Sequence, residues 1–265
     1  MNCPTPDFRC RQAKKAAKPF HKRGHRMLTL IIAESALETI PESLWNHPAI
    51  KKLSKIRQRP PSQILLDRSY HHTAMKNLEN NEKRGRPDII HFALLEALGS
   101  PLNKEKQLAT YVHTLGDITI QINNETRLPR NYSRFVSLIE QLFETHRVPP
   151  NKNEKPLLTM KQQTLTQLIK EEAKPTHLLA LSRVGKPRTL GDTISDLAKT
   201  DKACVLVGGF PKGHFTKTVT ELADEIVCID SEMLETWTVV SRTVYEFERA
   251  LSLPQKRLTQ ACGSS

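Results

Sequence analysis

The sequence predicts an α/β protein built on a parallel sheet, and three stretches near its C-terminal end carry that prediction. The run ACVLV (Ala203 to Val207) opens directly into GGFPKG (Gly208 to Gly213). A second β-branched run, DEIVCIDS (Asp224 to Ser231), follows after a short helical stretch. One long helical pattern then extends from Glu235 to Leu251. Strand, loop, helix, strand, loop, helix sets parallel strands side by side, with ligands at their carboxyl ends. Glycines there let backbone approach a small molecule with no Cβ in the way. The spacing G-G-x-x-x-G is not the G-x-G-x-x-G of dinucleotide sites, and Pro211 blocks an immediate helix start. The residues alone leave a ligand loop and a plain tight turn both open.

The remaining elements follow from periodicity and punctuation. LTLIIAE (Leu28 to Glu34) reads as a buried strand, Pro48 to Arg59 as a short basic helix and QILLD (Gln63 to Asp67) as the next strand. A helix is expected over His71 to Asn80, then a loop to Pro87, which suits the first turn of a helix over Asp88 to Leu98 that Gly99 ends. ATYVHTL and DITIQIN, split by Gly116 and Asp117, predict a β-hairpin. Asn131 can cap a helix from Tyr132 to His146. Arg147 to Pro156 has the composition of a linker, followed by a helix over 161–173, a strand over Thr176 to Ser182 and a helix over 190–199.

Composition narrows the class. No apolar run approaches the roughly 18 residues of a membrane span, and the basic N-terminus lacks the apolar core of a secretory signal. Five cysteines (Cys3, Cys10, Cys204, Cys228, Cys262) form no C-x-x-C pair, which argues against a disulfide framework or zinc site and for a reducing cytoplasm. Histidines give no metal site: His71 and His72 are adjacent, and His21 and His25 lie beside Lys22 and Arg23. The net charge of +12 is uneven. Residues 1–26 carry eight Lys/Arg against one acid, whereas 175–252 carry nine against eleven, so a polyanion and a different ligand would be held by different parts of the molecule.

Two constellations can carry chemistry. Arg86 and Asp88 flank Pro87 at a helix start, where the carboxylate can lock the guanidinium and aim its remaining donors outward. The alternative is an Asp that merely complements a helix N-terminus beside a solvated arginine. Arg127, Arg130 and Arg134 run from a loop into a helix with Tyr132 and Phe135 interleaved, a pattern suited to phosphates and unpaired RNA bases. A solvated helix face competes with that reading.

The runs RPDIIHFALLEAL, TRLPRNYSRF, VLVGGFPKGHF and DEIVCIDS with LETWTVVSRTVYEFE, taken together and in order, resemble the SPOUT-class pseudouridine N1-methyltransferases that act on small-subunit ribosomal RNA during ribosome assembly. Archaeal members look most alike, and the resemblance covers residues 27 to about 252. It implies a SPOUT-type parallel sheet with a C-terminal trefoil knot over 176–252 and an RNA-binding α/β extension within about 60–150. Residues 1–26 would be a disordered basic tail and 253–265 a flexible C-terminus. A cytoplasmic homodimer using S-adenosylmethionine, without metal or membrane, is implied as well. By motif match the cofactor would meet Gly208, Gly213 and the run Ile226, Val227, Cys228, Ile229, Asp230 and Ser231, with Leu181 and Leu234 at the adenine. Arg86, Arg127, Arg130 and Arg134 match RNA-contacting arginines, and Asp88 matches the acid that steadies Arg86. His214 departs from the acidic or polar residue of relatives.

The chemistry of the reaction adds a catalytic expectation for Arg86, oriented by Asp88 and alongside RNA binding: a guanidinium near the uracil carbonyls would stabilise negative charge as the N1 proton leaves. Asp88 as general base is the weaker version, because its arginine partner keeps it ionised. A non-catalytic RNA-binding assembly factor on the same fold is the competing reading. A nucleotide-binding oxidoreductase is disfavoured by the missing fingerprint. The dimer face is expected on the final helix, whose Trp237, Val240, Val244 and Phe247 form an apolar stripe that could equally pack on its own sheet.

Overall fold

The computed structural model describes residues 26–262, so the tail expected over 1–26 lies, except for Arg26, outside the described residues. Eight strands, β1 (Met27–Ser35), β2 (Leu108–Thr114), β3 (Ile118–Ile122), β4 (Arg147–Val148), β5 (Leu158–Gln162), β6 (His177–Pro187), β7 (Lys202–Gly208) and β8 (Glu225–Cys228), form one sheet. Their order is β4-β5-β3-β2-β1-β7-β6-β8. The half from β2 through β1, β7 and β6 to β8 is parallel, whereas β3, β5 and β4 add antiparallel. The helices are α1 (Pro48–Arg57), α2 (Arg68–His71), α3 (Pro87–Gly99), α4 (Pro101–Lys104), α5 (Tyr132–Thr145), α6 (Leu165–Gln167), α7 (Leu190–Leu197), α8 (Lys217–Leu222), α9 (Thr236–Ala250) and α10 (Leu253–Cys262).

The central strands are apolar without interruption because both of their faces are covered. Successive side chains of a strand point to opposite faces. Leu28, Leu30 and Ile32 of β1, with Ala203, Val205 and Val207 of β7, enter the core under α3, α7 and α9. Ile31 and Ala33, with Cys204 and Leu206, enter a second core against Leu165 and Leu168. Cys204 is thus a packing residue whose thiol burial pushes well above its usual range. The α9 stripe resolves the same way. Val240, Val244 and Phe247 are buried in the first core, so they serve the monomer's own sheet and not a dimer face. Trp237 alone reaches the edge of that packing, against Phe92.

Several expectations are corrected. QILLD is not a strand: Pro61–Gln63 is a 3-10 turn and only Thr39 bridges Leu65. Its ladder donor is taken elsewhere, since Leu65 N donates to Glu140 Oε1 at 3.1 Å. Glu140 is fully buried in α5 and also accepts from Arg57 (2.9 and 3.1 Å) and Arg59 (3.1 Å), so α1 is pinned to α5 through one carboxylate. A buried charge is stable only when its lone pairs are occupied in this way. The helix expected over 71–80 is split into α2 and the 3-10 turns Ala74–Asn77 and Asn81–Lys83, because Asp67 caps α2 by accepting from Ser69 N. The helix expected over 161–173 starts late. Residues up to Gln162 pair with β3, the Thr164–Gln167 capping box opens α6, and a π-helical turn covers Leu168–Ala173. In the expected linker, Arg147 and Val148 form β4. Leu253–Cys262 is helical, not irregular: Leu253 is buried and Arg257 pairs with Glu105.

β6 meets β8 twice. Val227 pairs with Leu181 and, beyond a bulge, again with Lys186, and Cys228 pairs with Pro187. Gly185 lies in the bulge, where a Cβ would sit 2.6 Å from the backbone of Ile226 and Val227. Gly185→Ala should therefore lower stability by about 1–3 kcal/mol in a denaturant titration, the usual range for overpacking. Gly99→Ala, with nothing within 4 Å of its Cβ, should change it by less than about 1 kcal/mol.

Candidate functional site

Parallel β1, β6, β7 and β8 end at the same edge of the sheet, and a cleft opens there. It is partly open to solvent, with an enclosed volume of about 120 Å³. Three segments make the walls: Leu181 to Arg183, where β6 enters its bulge, Gly208 at the end of β7 with Phe210 to Phe215 beyond it, and Ile229 to Thr236 after β8, without Ser231. One part is apolar (Leu181, Val207, Ile229, Leu234, Val239), while Asp230, Glu232 and Glu235 bring three carboxylates.

Backbone contacts shape the glycine loop. Gly209 is wedged behind it: a Cβ there would meet Ser35 Oγ and lie 2.9 Å from Ile32 and Ile90 methyls. Its N–H donates to Ala33 O at 2.8 Å and its carbonyl accepts from Ala36 N at 2.8 Å. Gly213 has φ +95°, a conformation that requires glycine. Thr236 Oγ1 donates to Gly208 O at 2.8 Å and ties the start of α9 to the loop.

Of the sequence-predicted cofactor residues, Leu181, Gly208, Gly213, Ile229, Asp230 and Leu234 line the cleft. Ile226, Val227, Cys228 and Ser231 do not. Val227 is fully buried, Ile226 packs against the opposite core, Cys228 Sγ donates to Asp230 O at 3.2 Å, and Ser231 is exposed. They seat the strand beneath the site. Sequence reasoning missed Phe210, Met233, Glu235 and Thr236. Phe210 stood inside the quoted glycine motif, and Thr236 stood at the start of the quoted helix.

Glu34, at the end of β1 with φ +50°, is buried and joins the loop to the next part of the chain. Its Oε1 accepts from Thr216 N (2.8 Å) and Thr216 Oγ1 (2.6 Å), and its Oε2 from Lys83 Nζ (3.2 Å). Lys83 also donates to the carbonyl of His214, so residue 214 is held by its backbone and the identity of its side chain is less constrained.

Arg86 and Asp88 form a bidentate pair, Nε to Oδ1 at 2.8 Å and Nη2 to Oδ2 at 2.7 Å. That pairing, above all, raises the Arg86 pKa, with the nearby Glu235 of the cleft and Asp67 adding to it. Arg86 does not line the cleft. Its N–H donates to Ala36 O at 3.1 Å, and Ala36 in turn bonds Gly209, so two hydrogen bonds separate it from the glycine loop. Arg127, Arg130 and Arg134 are exposed, with no acidic partner among the described residues. The strip is held through the residues between the arginines. His91 Nε2 donates to Pro129 O at 2.7 Å and the ring stacks on Phe135 at 4.3 Å, and Tyr132 Oη donates to Asp67 Oδ2 at 2.5 Å. Burial, then Asp67, push the Tyr132 pKa far up, so this phenol stays a donor.

Comparison with known proteins follows the same outline. The family model described as EMG1/NEP1 methyltransferase matches residues 30–248. The small-subunit ribosomal RNA methyltransferase Nep1 of Thermococcus onnurineus is 43% identical over 84% of this chain and 98% of its own length. The protein of the same name from Pyrobaculum islandicum is 44% identical over 85% of this chain and 100% of its own length. The crystal structure of Archaeoglobus fulgidus Nep1 bound to S-adenosylhomocysteine superposes with a TM-score of 0.73 at 35% identity, covering 86% of this chain and 99% of that one.

The Asp67 turn that anchors Tyr132 is sensitive to acid. His71 is buried with its Nδ1 accepting from Asp67 N at 2.9 Å, which requires the neutral ring. Burial, the largest cause, lowers its pKa below the ordinary 6.5. The unfolded chain therefore binds a proton that the folded chain refuses, and stability present above pH 6.5 is lost as pH falls toward the lower folded value. Thermal unfolding midpoints should drop between about pH 7 and pH 5, and by less in His71→Asn. Equal pH dependence in both proteins would contradict this account.

Proposed function

The chain belongs to the EMG1/NEP1 methyltransferase family, and from that premise we propose that it methylates N1 of a pseudouridine in small-subunit ribosomal RNA with S-adenosylmethionine as methyl donor. The observation that carries the proposal is the placement of the cleft two backbone hydrogen bonds away from Arg86, itself locked by Asp88, with Arg127, Arg130 and Arg134 exposed and without an acidic partner among the described residues. The cleft's chemistry fits the donor. Asp230, Glu232 and Glu235 suit hydroxyls and a cationic centre, Arg183 and Lys212 in the same lining suit a carboxylate, and Leu181, Ile229 and Leu234 offer an apolar seat for an adenine. Bound S-adenosylmethionine supplies a methyl carbon made electrophilic by its sulfonium.

The chain's own residues do the rest. Arg127, Arg130 and Arg134 hold the phosphates and bases around the target. Arg86 spends Nε and Nη2 on Asp88, which leaves Nη1 free to donate to a uracil carbonyl beside the reacting nitrogen. With the donor in the cleft, its methyl group would pass to N1 as the sulfonium leaves neutral and the N1 proton goes to water, and Arg86 would stabilise the negative charge that accumulates on the ring. Asp88 is a positioning group, not the base, because both of its oxygens are occupied by Arg86. The doubled pairing of β8 by β6 supports a trefoil-knotted arrangement around the cleft. We read the molecule as a cytoplasmic homodimer that takes part in ribosome assembly, with the exposed Phe92, Met233 and Tyr245 as surface available to a second copy.

Label from S-adenosylmethionine should enter a small-subunit ribosomal RNA hairpin containing pseudouridine and not the matching uridine hairpin. Tight RNA binding without label in either would favour a non-catalytic assembly role. Arg86→Ala should lower the single-turnover rate at saturating RNA by about 100-fold or more, the scale for loss of one oxyanion donor. Turnover unchanged under those conditions would remove Arg86 from the chemical step.

A further inference from the structure

Lys83 has no part in the reaction above, yet it touches the walls of one site and leads directly into the other. Its Nζ donates to Glu34 Oε2 at 3.2 Å and to the His214 carbonyl, and stands 4.4 Å from the centre of the Phe210 ring. His214 and Phe210 both line the cleft. The Lys83 stem fills the space beside Gly213, where a Cβ would lie 3.0 Å from Cε. With side-chain exposures of 15% for Lys83 and 6% for Glu34, this ion pair is shielded from solvent screening. One cation therefore gathers the two ends of the glycine loop onto the end of β1.

Along the chain, Lys83 closes the 3-10 turn Asn81–Lys83 and is separated from Arg86 by two residues. Those two residues have little freedom. Arg84 is clamped by both oxygens of Glu38. Gly85 has φ +67°, and a Cβ there would lie 2.9 Å from Met75 Cε. Its carbonyl accepts from Arg68 N at 2.8 Å. A shift of Lys83 is thus passed to Arg86 through a short packed segment, while the Gly209–Ala36–Arg86 backbone bonds form a second link.

We propose that Lys83 is a positioning residue that couples the two sites, so that filling the cleft strengthens RNA binding and bound RNA strengthens cofactor binding. This rests on the reading of the cleft as the cofactor site and of Arg86 as an RNA contact. A ligand against Phe210 and His214 fixes the groups that hold Lys83, and Lys83 fixes the turn that presents Arg86. Linkage makes the effect reciprocal: the factor by which cofactor tightens RNA equals the factor by which RNA tightens cofactor.

The test measures affinity of a fluorescent pseudouridine hairpin with and without saturating S-adenosylhomocysteine, and affinity of S-adenosylhomocysteine with and without the hairpin. In the unmodified protein each ligand should tighten the other by about fivefold or more, the lower end of common coupling. Lys83→Met, which keeps the stem and loses the charge, should bring that factor to about one. Lys83→Arg should recover part of it, and Lys76→Met, removing an exposed lysine from a neighbouring turn, should leave it unchanged. Glu34→Gln, which keeps an acceptor for Thr216, should also reduce the factor and serves if Lys83→Met fails to fold. A factor of one in the unmodified protein, or an undiminished factor in Lys83→Met or Glu34→Gln, overturns the proposal. Failure of the unmodified protein to bind S-adenosylhomocysteine at all would instead strike at the assigned cleft.

Discussion

The buried carboxylate of Glu34 is the constraint on which the functional half of the molecule depends. It sits where the central strand ends, in a left-handed conformation that a non-glycine residue adopts only at a cost. A charge in that position has to be matched, and Thr216 on one oxygen and Lys83 on the other match it. Those partners come from the far end of the glycine loop and from the turn before Arg86. The requirement to satisfy one buried group therefore sets the relative positions of two segments that are distant in sequence.

Glu140 plays the corresponding part beneath the arginine strip. Its two oxygens take three arginine contacts and one backbone donor, so α5 and α1 form a rigid base beneath exposed Arg134. Arg127, Arg130 and Arg134 have no acidic partner among the described residues, while Arg57 and Arg59 are consumed by structure. Which arginines are available to a polyanion is thus decided by where the acids lie, more than by the number of basic residues.

Much of this was legible in the sequence. The parallel core strands announced themselves as unbroken apolar runs, and the cleft's glycines and the helix start at Pro87 stood where the loops would place them. Legibility failed where the determining partner is remote. QILLD has the composition of a strand, but its backbone donor is claimed by Glu140 more than seventy residues along. The stripe on α9 was real, and only packing could show that it faces inward. Which side chains of Ile226 to Cys228 face the cleft was also not legible, since packing sets the alternation that sends Val227 into the core. Lys83 and Glu34 carried no signal, since each is an ordinary charged residue until the fold brings them together.

The position of β1 also bears on how the molecule is made. Met27 lies beside Lys202, so the strand synthesised first stays half-paired, its second edge open, until β7 exists. Pairing across so much intervening chain is slow, because the loop-closure cost precedes any reward. On a ribosome that delivers residues in order, the β1 and β2 strands can meet early, but the cleft has no floor until nearly the whole chain has emerged. An unfinished copy thus has its arginine strip before it has the cleft. During that interval, the exposed edge of β1 is the segment most in need of protection from the strands of other nascent chains.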